Sequence, residues 1–312
     1  MSVTAQTGQR DGTDRRAGAD DGREAIARRL ITGSVKRSYE PIVDLDWDSA
    51  PVPGRYFLPP GALSLVGTEL WNQMTVEQRI ELSRQEMANI LSVGIWFENL
   101  LNRTLLARLM SADPAAAATH YALTEMGDEC RHMVMFGRAI EWSGARPYRM
   151  VLADRIVMTL LPHVLRGSLL WVAALIGEEI FDALQREMLE DPELQPLISR
   201  LMQVHVAEEA RHIGFARDGI MRRKPIRGRW ETFVAGHGHA LAGVMLRRLF
   251  TNPAMYRRAG LDGRATARSA RANPHFQDAQ VRGFASLAAF LEEAGLMSRV
   301  ARYGWRRGGF LR

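Results

Sequence analysis

A chain of 312 residues, 46% of them hydrophobic, suits one large helical domain or two small ones. Its formal charge of +6 comes from 41 basic and 35 acidic residues, with lysine only at Lys36 and Lys224. That arginine bias reflects an arginine-favouring genome rather than phosphate recognition, so nucleic acid is excluded as a partner. The single cysteine, Cys130, excludes a disulfide framework and a thiolate metal site.

Residues 1–22 are polar and lack the apolar stretch of a signal peptide. They read as a disordered leader, and residues 23–312 as a single domain located in the cytoplasm. A short helix is predicted from Arg23. Between residues 44 and 60 the prolines at 51, 53, 59 and 60 predict an extended arm that wraps the domain, anchored by Trp47, Tyr56 and Phe57. Thr75 and Gln78 form a capping box that opens a helix over about 76–110. Asp113 and Pro114 read as the N-cap and first residue of a second helix, stopped beyond Ser143 by Gly144 and Pro147. The most hydrophobic run, 150–177, is interrupted by Pro162, His163, Arg166 and Gly167. It is therefore no transmembrane segment but a bundle helix, kinked near Pro162 and ending around Leu189. Asp191 and Pro192 repeat the Asp113-Pro114 start and open a fourth helix that ends before Pro225. Residues 230–250 and 277–300 predict two more helices, and the basic, aromatic tail 302–312 is expected to be a solvated end.

The core helices, at about 75–222, carry a doubled motif. Asp128-Glu129-Cys130-Arg131-His132 recurs as Glu208-Glu209-Ala210-Arg211-His212. Residues three apart on a helix share a face, which pairs Glu129 with His132 and Glu209 with His212. Glu98 stands 31 residues before Glu129 and Glu178 stands 31 before Glu209, so the whole set repeats at an offset of 80. A single Glu-x-x-His on an exposed helix is usually a solvated face. Two copies at matched offsets point instead to four carboxylates and two imidazoles inside a four-helix bundle, the way carboxylate-bridged di-iron sites are built. His205, four before Glu209 and seven before His212, lies on the same stripe, and its counterpart at the offset is Glu125. Oxygen donors with a few imidazoles suit iron or manganese better than zinc. Asp128 and Glu208 are placed to accept from a ring N–H of a liganding histidine, with Arg131 and Arg211 close enough to neutralise them. Cys130 points off the ligand face and is expected to be a buried free thiol. His237 and His239, two apart, face away from each other and are left without a metal.

A Glu, about thirty residues, then Asp-Glu-x-Arg-His, given twice with the second copy reading Glu-Glu-Ala-Arg-His, resembles the di-iron N-oxygenases typified by 4-aminobenzoate N-oxygenase. The resemblance covers about 75–220. It implies an all-α, ferritin-like four-helix bundle with flanking helices, two Fe ions per chain, O2 as co-substrate and a homodimer. It also implies oxidation of an arylamine through hydroxylamine toward a nitro group. The ligands it implies are Glu98, Glu129, His132, Glu178, His205, Glu209 and His212, with His205 in the place of a third histidine. The chain contains no reductase domain, so electrons are expected from an external donor or reductase. Two alternatives stay open: a di-iron hydroxylase or desaturase acting on an apolar carbon, and a ferritin-like protein handling iron or peroxide. A carboxylated arylamine would call for a cation near the metal. The faces near Glu98 and Glu178 carry Leu91, Ile95, Trp171, Leu175 and Phe181, which are apolar.

Overall fold

In this computed structural model the backbone is described over residues 8–189 and 191–312, and the side chains from residue 21 onward apart from residue 190. Helix α1 spans Gly8–Lys36. The leader expected over 1–22 is thus helical from Gly8 on, while residues 1–7 lie outside the described residues. Ala27, Leu30 and Ile31 pack into the core. A turn anchored in this way lets the helix propagate outward at one hydrogen bond per residue fixed.

The arm carries two short helices, α2 (Pro41–Asp44) and α3 (Glu69–Gln73). Tyr56 and Phe57 are buried and Trp47 half-buried. The Tyr56 N–H donates to Glu193 O at 2.9 Å and its carbonyl accepts from the Gln195 N–H at 2.9 Å, while the Phe57 N–H donates to Ser83 Oγ at 3.0 Å. This isolated bridge is the nearest approach to β structure, since no strand occurs among the described residues.

Helix α4 runs Val76–Leu109 behind the Thr75–Gln78 capping box, with both reciprocal bonds formed. Its hairpin partner α5 covers Ala117–Trp142. Asp113 and Pro114 do not cap α5. They form a preceding turn, in which Asp113 Oδ1 accepts from the Ala115 N–H at 2.9 Å. The first N–H groups of α5, those of Ala117 and Ala118, donate to the Glu24 carboxylate of α1 at 2.6 and 3.0 Å. A carboxylate at a helix N-terminus satisfies orphan donors whichever segment supplies it.

The apolar run after residue 150 is two helices rather than one kinked helix: α6 (Leu152–Val164) and α7 (Ser168–Met188). Pro162 does not end α6. The carbonyls of Met158 and Thr159, one of them deprived of its donor by the proline, accept from the Arg103 guanidinium at 3.4 and 3.2 Å. The break comes at Gly167, whose φ of +56° is one a residue with a Cβ adopts only with strain. Helix α8 (Pro196–Arg223) follows Gln195, not Asp191, and returns along α7. The α4–α5 and α7–α8 hairpins make the four-helix bundle, ferritin-like and all-α, with α1 laid across α5 and α8.

The remaining helices are α9 (Arg229–Gly238), α10 (Ala242–Phe250), α11 (Pro253–Arg258), α12 (Gly263–Ala272), α13 (Pro274–Glu293) and α14 (Arg299–Gly308). The helix expected over 230–250 is divided at His239. Its ring turns inward, donating from Nε2 to Leu296 O at 3.1 Å and accepting at Nδ1 from Trp305 Nε1 at 2.9 Å. The tail is not a solvated end. Trp305 and Phe310 are fully buried, with Trp305 stacked 3.9 Å from Phe284, because α14 gathers its apolar residues on one face. That face meets α10 backbone to backbone, and a Cβ added at Gly304 would collide with Ala240 O. Gly304→Ala is therefore expected to destabilise the fold by about 3 kcal/mol, the upper end for overpacking a core contact. Gly61→Ala, at an exposed position where nothing lies within 4 Å, serves as the neutral control in denaturant unfolding.

Candidate metal centre

Helical periodicity turns Glu98 of α4, Glu129 and His132 of α5, Glu178 of α7, and His205, Glu209 and His212 of α8 toward the bundle axis. All seven are buried, the most exposed being Glu98 at 7%. They fall into two groups: Glu98, His132, His205 and Glu209 form one, and Glu129, Glu178, Glu209 and His212 the other. Within each group the donor atoms lie within 4.8 Å of one another, a spacing that a metal ion can span.

Two carboxylates stand between the groups. Glu209 belongs to both, with Oε1 3.3 Å from His132 Nδ1 and from His205 Nε2, and Oε2 3.6 Å from His212 Nδ1. Glu129 reaches His132 Nδ1 at 2.7 Å with one oxygen and His212 Nδ1 at 2.8 Å with the other. Burial raises Glu98 and Glu178 well above the usual carboxylate range, and the neighbouring carboxylates add to it. Burial opposes ionisation of Glu209 too, but the His205 and His212 imidazoles outweigh it and hold that carboxyl well below its ordinary value. Glu129 is likewise held down at about 2: burial and Glu209 push it up, and His212 and His132 prevail. His132 and His212 are raised well above the usual imidazole value, since the Glu129 carboxylate overcomes their burial. Burial drives His205 the other way, down to about 4. Protons and metal cations compete for these same donors.

The outer ring atoms show how the two motifs brace each other. His132 Nε2 donates to Glu208 Oε2 at 2.9 Å, and His212 Nε2 donates to Asp128 Oδ2 at 3.1 Å. Each motif's leading acid thus holds the other motif's histidine across the bundle. Arg211 lies between the two acids, 3.7 Å from Asp128 and 3.8 Å from Glu208, and Arg131 pairs with Asp128. His205 is oriented by a different residue: Nδ1 donates to Gln185 Oε1 at 2.9 Å, leaving Nε2 toward the centre. Sequence reasoning passed over Gln185, although it lies seven residues after Glu178 on the same face of α7. Glu125, the counterpart of His205, is buried beside the cluster and pushed up to about 8 by that burial. Cys130 is exposed, not buried, because its face of α5 looks away from the bundle.

A ferritin-like bundle with buried, inward-facing Glu and His clusters of this kind belongs among the helical proteins whose core can hold metal ions. Comparison with known proteins gives the family. The model described as p-aminobenzoate N-oxygenase AurF matches residues 20–295, and the chain belongs to that family of di-iron oxygenases. It is 30% identical over 289 residues to the uncharacterized proteins Mb0909 of Mycobacterium bovis and Rv0885 of Mycobacterium tuberculosis, covering 89% of this chain and 84% of each relative.

Proposed function

We propose that this chain is a di-iron N-oxygenase that uses O2 to oxidise the nitrogen of a small arylamine. Glu98, Glu129, His132, Glu178, His205, Glu209 and His212 are its ligands to two iron ions. One observation carries the reading. Both oxygens of Glu178 and of Glu209, Glu129 Oε1, His205 Nε2 and His212 Nδ1 are buried without a hydrogen-bond partner among the described residues. Four carboxylates buried together are costly unless cations sit among them, and two divalent ions match their charge. The donor types, oxygen and imidazole without thiolate, favour iron or manganese.

An iron pair, when bound, supplies redox chemistry with dioxygen. The protein's own part is positional. Glu129 and Glu209 link the two positions, while Glu208, Asp128 and Gln185 fix the tautomer and tilt of the three imidazoles. Phe97, Leu101 and Ala174 border a small cavity of about 20 Å³ that touches Glu98 and Glu178, and they keep bulk water from that edge. Electrons come from a separate donor or reductase. Residues 23–312 act as one domain, in the cytoplasm, and no described helix is long and apolar enough to cross a membrane. The exposed α6 stripe of Leu152, Ile156, Leu160 and Val164 supports a homodimer.

The test is anaerobic loading with ferrous iron, metal analysis, then exposure to oxygen with a panel of arylamines and mass spectrometry. About two irons per chain and conversion of an amine to its hydroxylamine or nitro product are expected. A single tightly held zinc, or oxidation confined to apolar carbon substrates, would overturn the reading. Asp128→Asn should lower iron affinity by about 10–100-fold, the usual effect of removing an outer partner from a metal-bound histidine, as read by competition with a chelator.

A further inference from the structure

The small cavity between α4 and α7 lies directly against the metal centre, since Glu98 and Glu178 both line it. Glu98 belongs to the first donor group and Glu178 to the second, so one cavity faces both metal positions. Both oxygens of Glu178, a residue 4% exposed, are without a hydrogen-bond partner among the described residues. The α5 and α8 side of the centre is closed by contrast. There Glu208 and Asp128 take the outer nitrogens of His132 and His212, and Arg211 lies between the two acids.

Beyond the two glutamates the walls are apolar, with Phe97, Leu101, Leu165, Leu170 and Ala174 among them. The exception is Thr104, whose hydroxyl already donates to Leu100 O at 2.7 Å. A water molecule needs about two to four polar partners. With cations holding the two carboxylates, these walls offer a guest no donor, so they favour an apolar occupant. The space measures about 20 Å³. One small molecule needs about 10–15 Å³, whereas a benzene ring needs about 150 Å³. The cavity therefore admits a diatomic gas and excludes an arylamine ring. Its least buried lining residues are Ala173 and Gly177, one turn apart on α7. Glycine inside a helix costs about 0.5–1 kcal/mol relative to alanine, so its place here calls for a spatial reason. A Cβ at Gly177 would stand 3.4 Å from Phe97 Cδ1, and a longer side chain would run into that ring.

We propose that this cavity is the O2 site: the gas enters past Ala173 and Gly177 and is held against Glu98 and Glu178, facing both metal positions. The arylamine, too large for it, approaches the centre from elsewhere. The purpose of the site rests on the oxygenase reading, while its occupancy by O2 rests on the cavity alone. Binding here is non-covalent, driven by transfer of an apolar molecule from water into an apolar space.

The first experiment uses metal-free, full-length protein with its alanine and leucine methyl groups labelled, followed by NMR under oxygen and then under nitrogen. Dissolved O2 is paramagnetic and speeds the relaxation of methyl groups beside it. Those of Ala174 and Leu101 should relax severalfold faster under oxygen than those of Ala139 and Leu63, which are fully buried in the other core cluster. Ala174→Leu, which fills the cavity, should remove the enhancement at Leu101. The second experiment mixes the di-ferrous protein with O2 in a stopped-flow instrument. Ala174→Leu should keep about two irons per chain yet slow this reaction about tenfold, equivalent to about 1.4 kcal/mol at the barrier. Ala173→Leu, at a half-buried position where the longer side chain is accommodated without disturbing the core, should slow it in the same sense. Relaxation at Ala174 no faster than at Ala139, or an O2 rate unmoved by both variants, overturns the inference. A parent chain that takes up no iron would sink the oxygenase reading, and the metal-free NMR result would still decide the cavity. Nitrogen oxidation at an O2 rate indifferent to both variants would do the reverse.

Discussion

Glu209→Ala is expected to reduce iron from about two per chain to near none and to bring turnover to background. Glu209 is the carboxylate common to both donor groups, and its oxygens lie 3.3 to 3.6 Å from the facing nitrogens of three histidines. Its removal therefore takes a ligand from both ions at once, whereas loss of His205 touches one. The loss of affinity should exceed the roughly 10–100-fold typical of outer-shell partners, reaching about 1000-fold. The metal-free variant should melt below the metal-free parent, because Glu209 is the partner of the buried His132 and His212 imidazoles there and its loss leaves them less compensated. Metal analysis and melting curves, run with and without iron, measure both effects. Retention of two irons would show that neither donor group depends on Glu209.

Removal of iron from the parent chain should lower its melting temperature by about 15–20 °C. Each ion, at a free concentration about a thousandfold above its dissociation constant, contributes roughly 4 kcal/mol. In a chain of 312 residues, larger than most single domains, each kcal/mol shifts the midpoint by only about 2 °C. The effect also has a sign with pH. His132 and His212 titrate well above the usual imidazole value in the metal-free fold, so their contribution to its stability is present at low pH and is lost as pH rises through those raised values. Iron binds only the deprotonated rings, so the stability gained on loading should grow as pH rises. Calorimetric scans of loaded and chelated protein at several pH values test this. A gap between them that narrows with rising pH would count against a site built on these histidines.

The grouping of candidate ligands along each helix was legible in the chain because helical geometry is local. Residues three, four and seven apart share a face whatever surrounds the helix, so Glu129 with His132, and His205 with Glu209 and His212, could be grouped from spacing alone. The Thr75–Gln78 cap was legible for the same reason, since both of its bonds lie within four residues. Apolar patterning was enough to indicate an all-helical chain.

What the spacing did not contain is which faces meet. Asp128 bonds His212 across 84 positions and Glu208 bonds His132 across 76, so each acid serves the motif it does not belong to. That crossing follows from how the two hairpins pack, as does the seating of Gln185 against His205. The N-terminal donors of α5 found Glu24, 93 positions away, although Asp113 stood close by in the chain, because capping requires only a carboxylate at the right place in space. Cys130 proved exposed and Trp305 buried for one shared reason. Burial depends on what lies opposite a side chain: Cys130 stays exposed with Asn102 of α4 at 3.5 Å from its sulfur, whereas α10 and α13 close over α14. Local spacing therefore determined which residues could act together, and long-range packing decided their partners, their tautomers and their access to solvent.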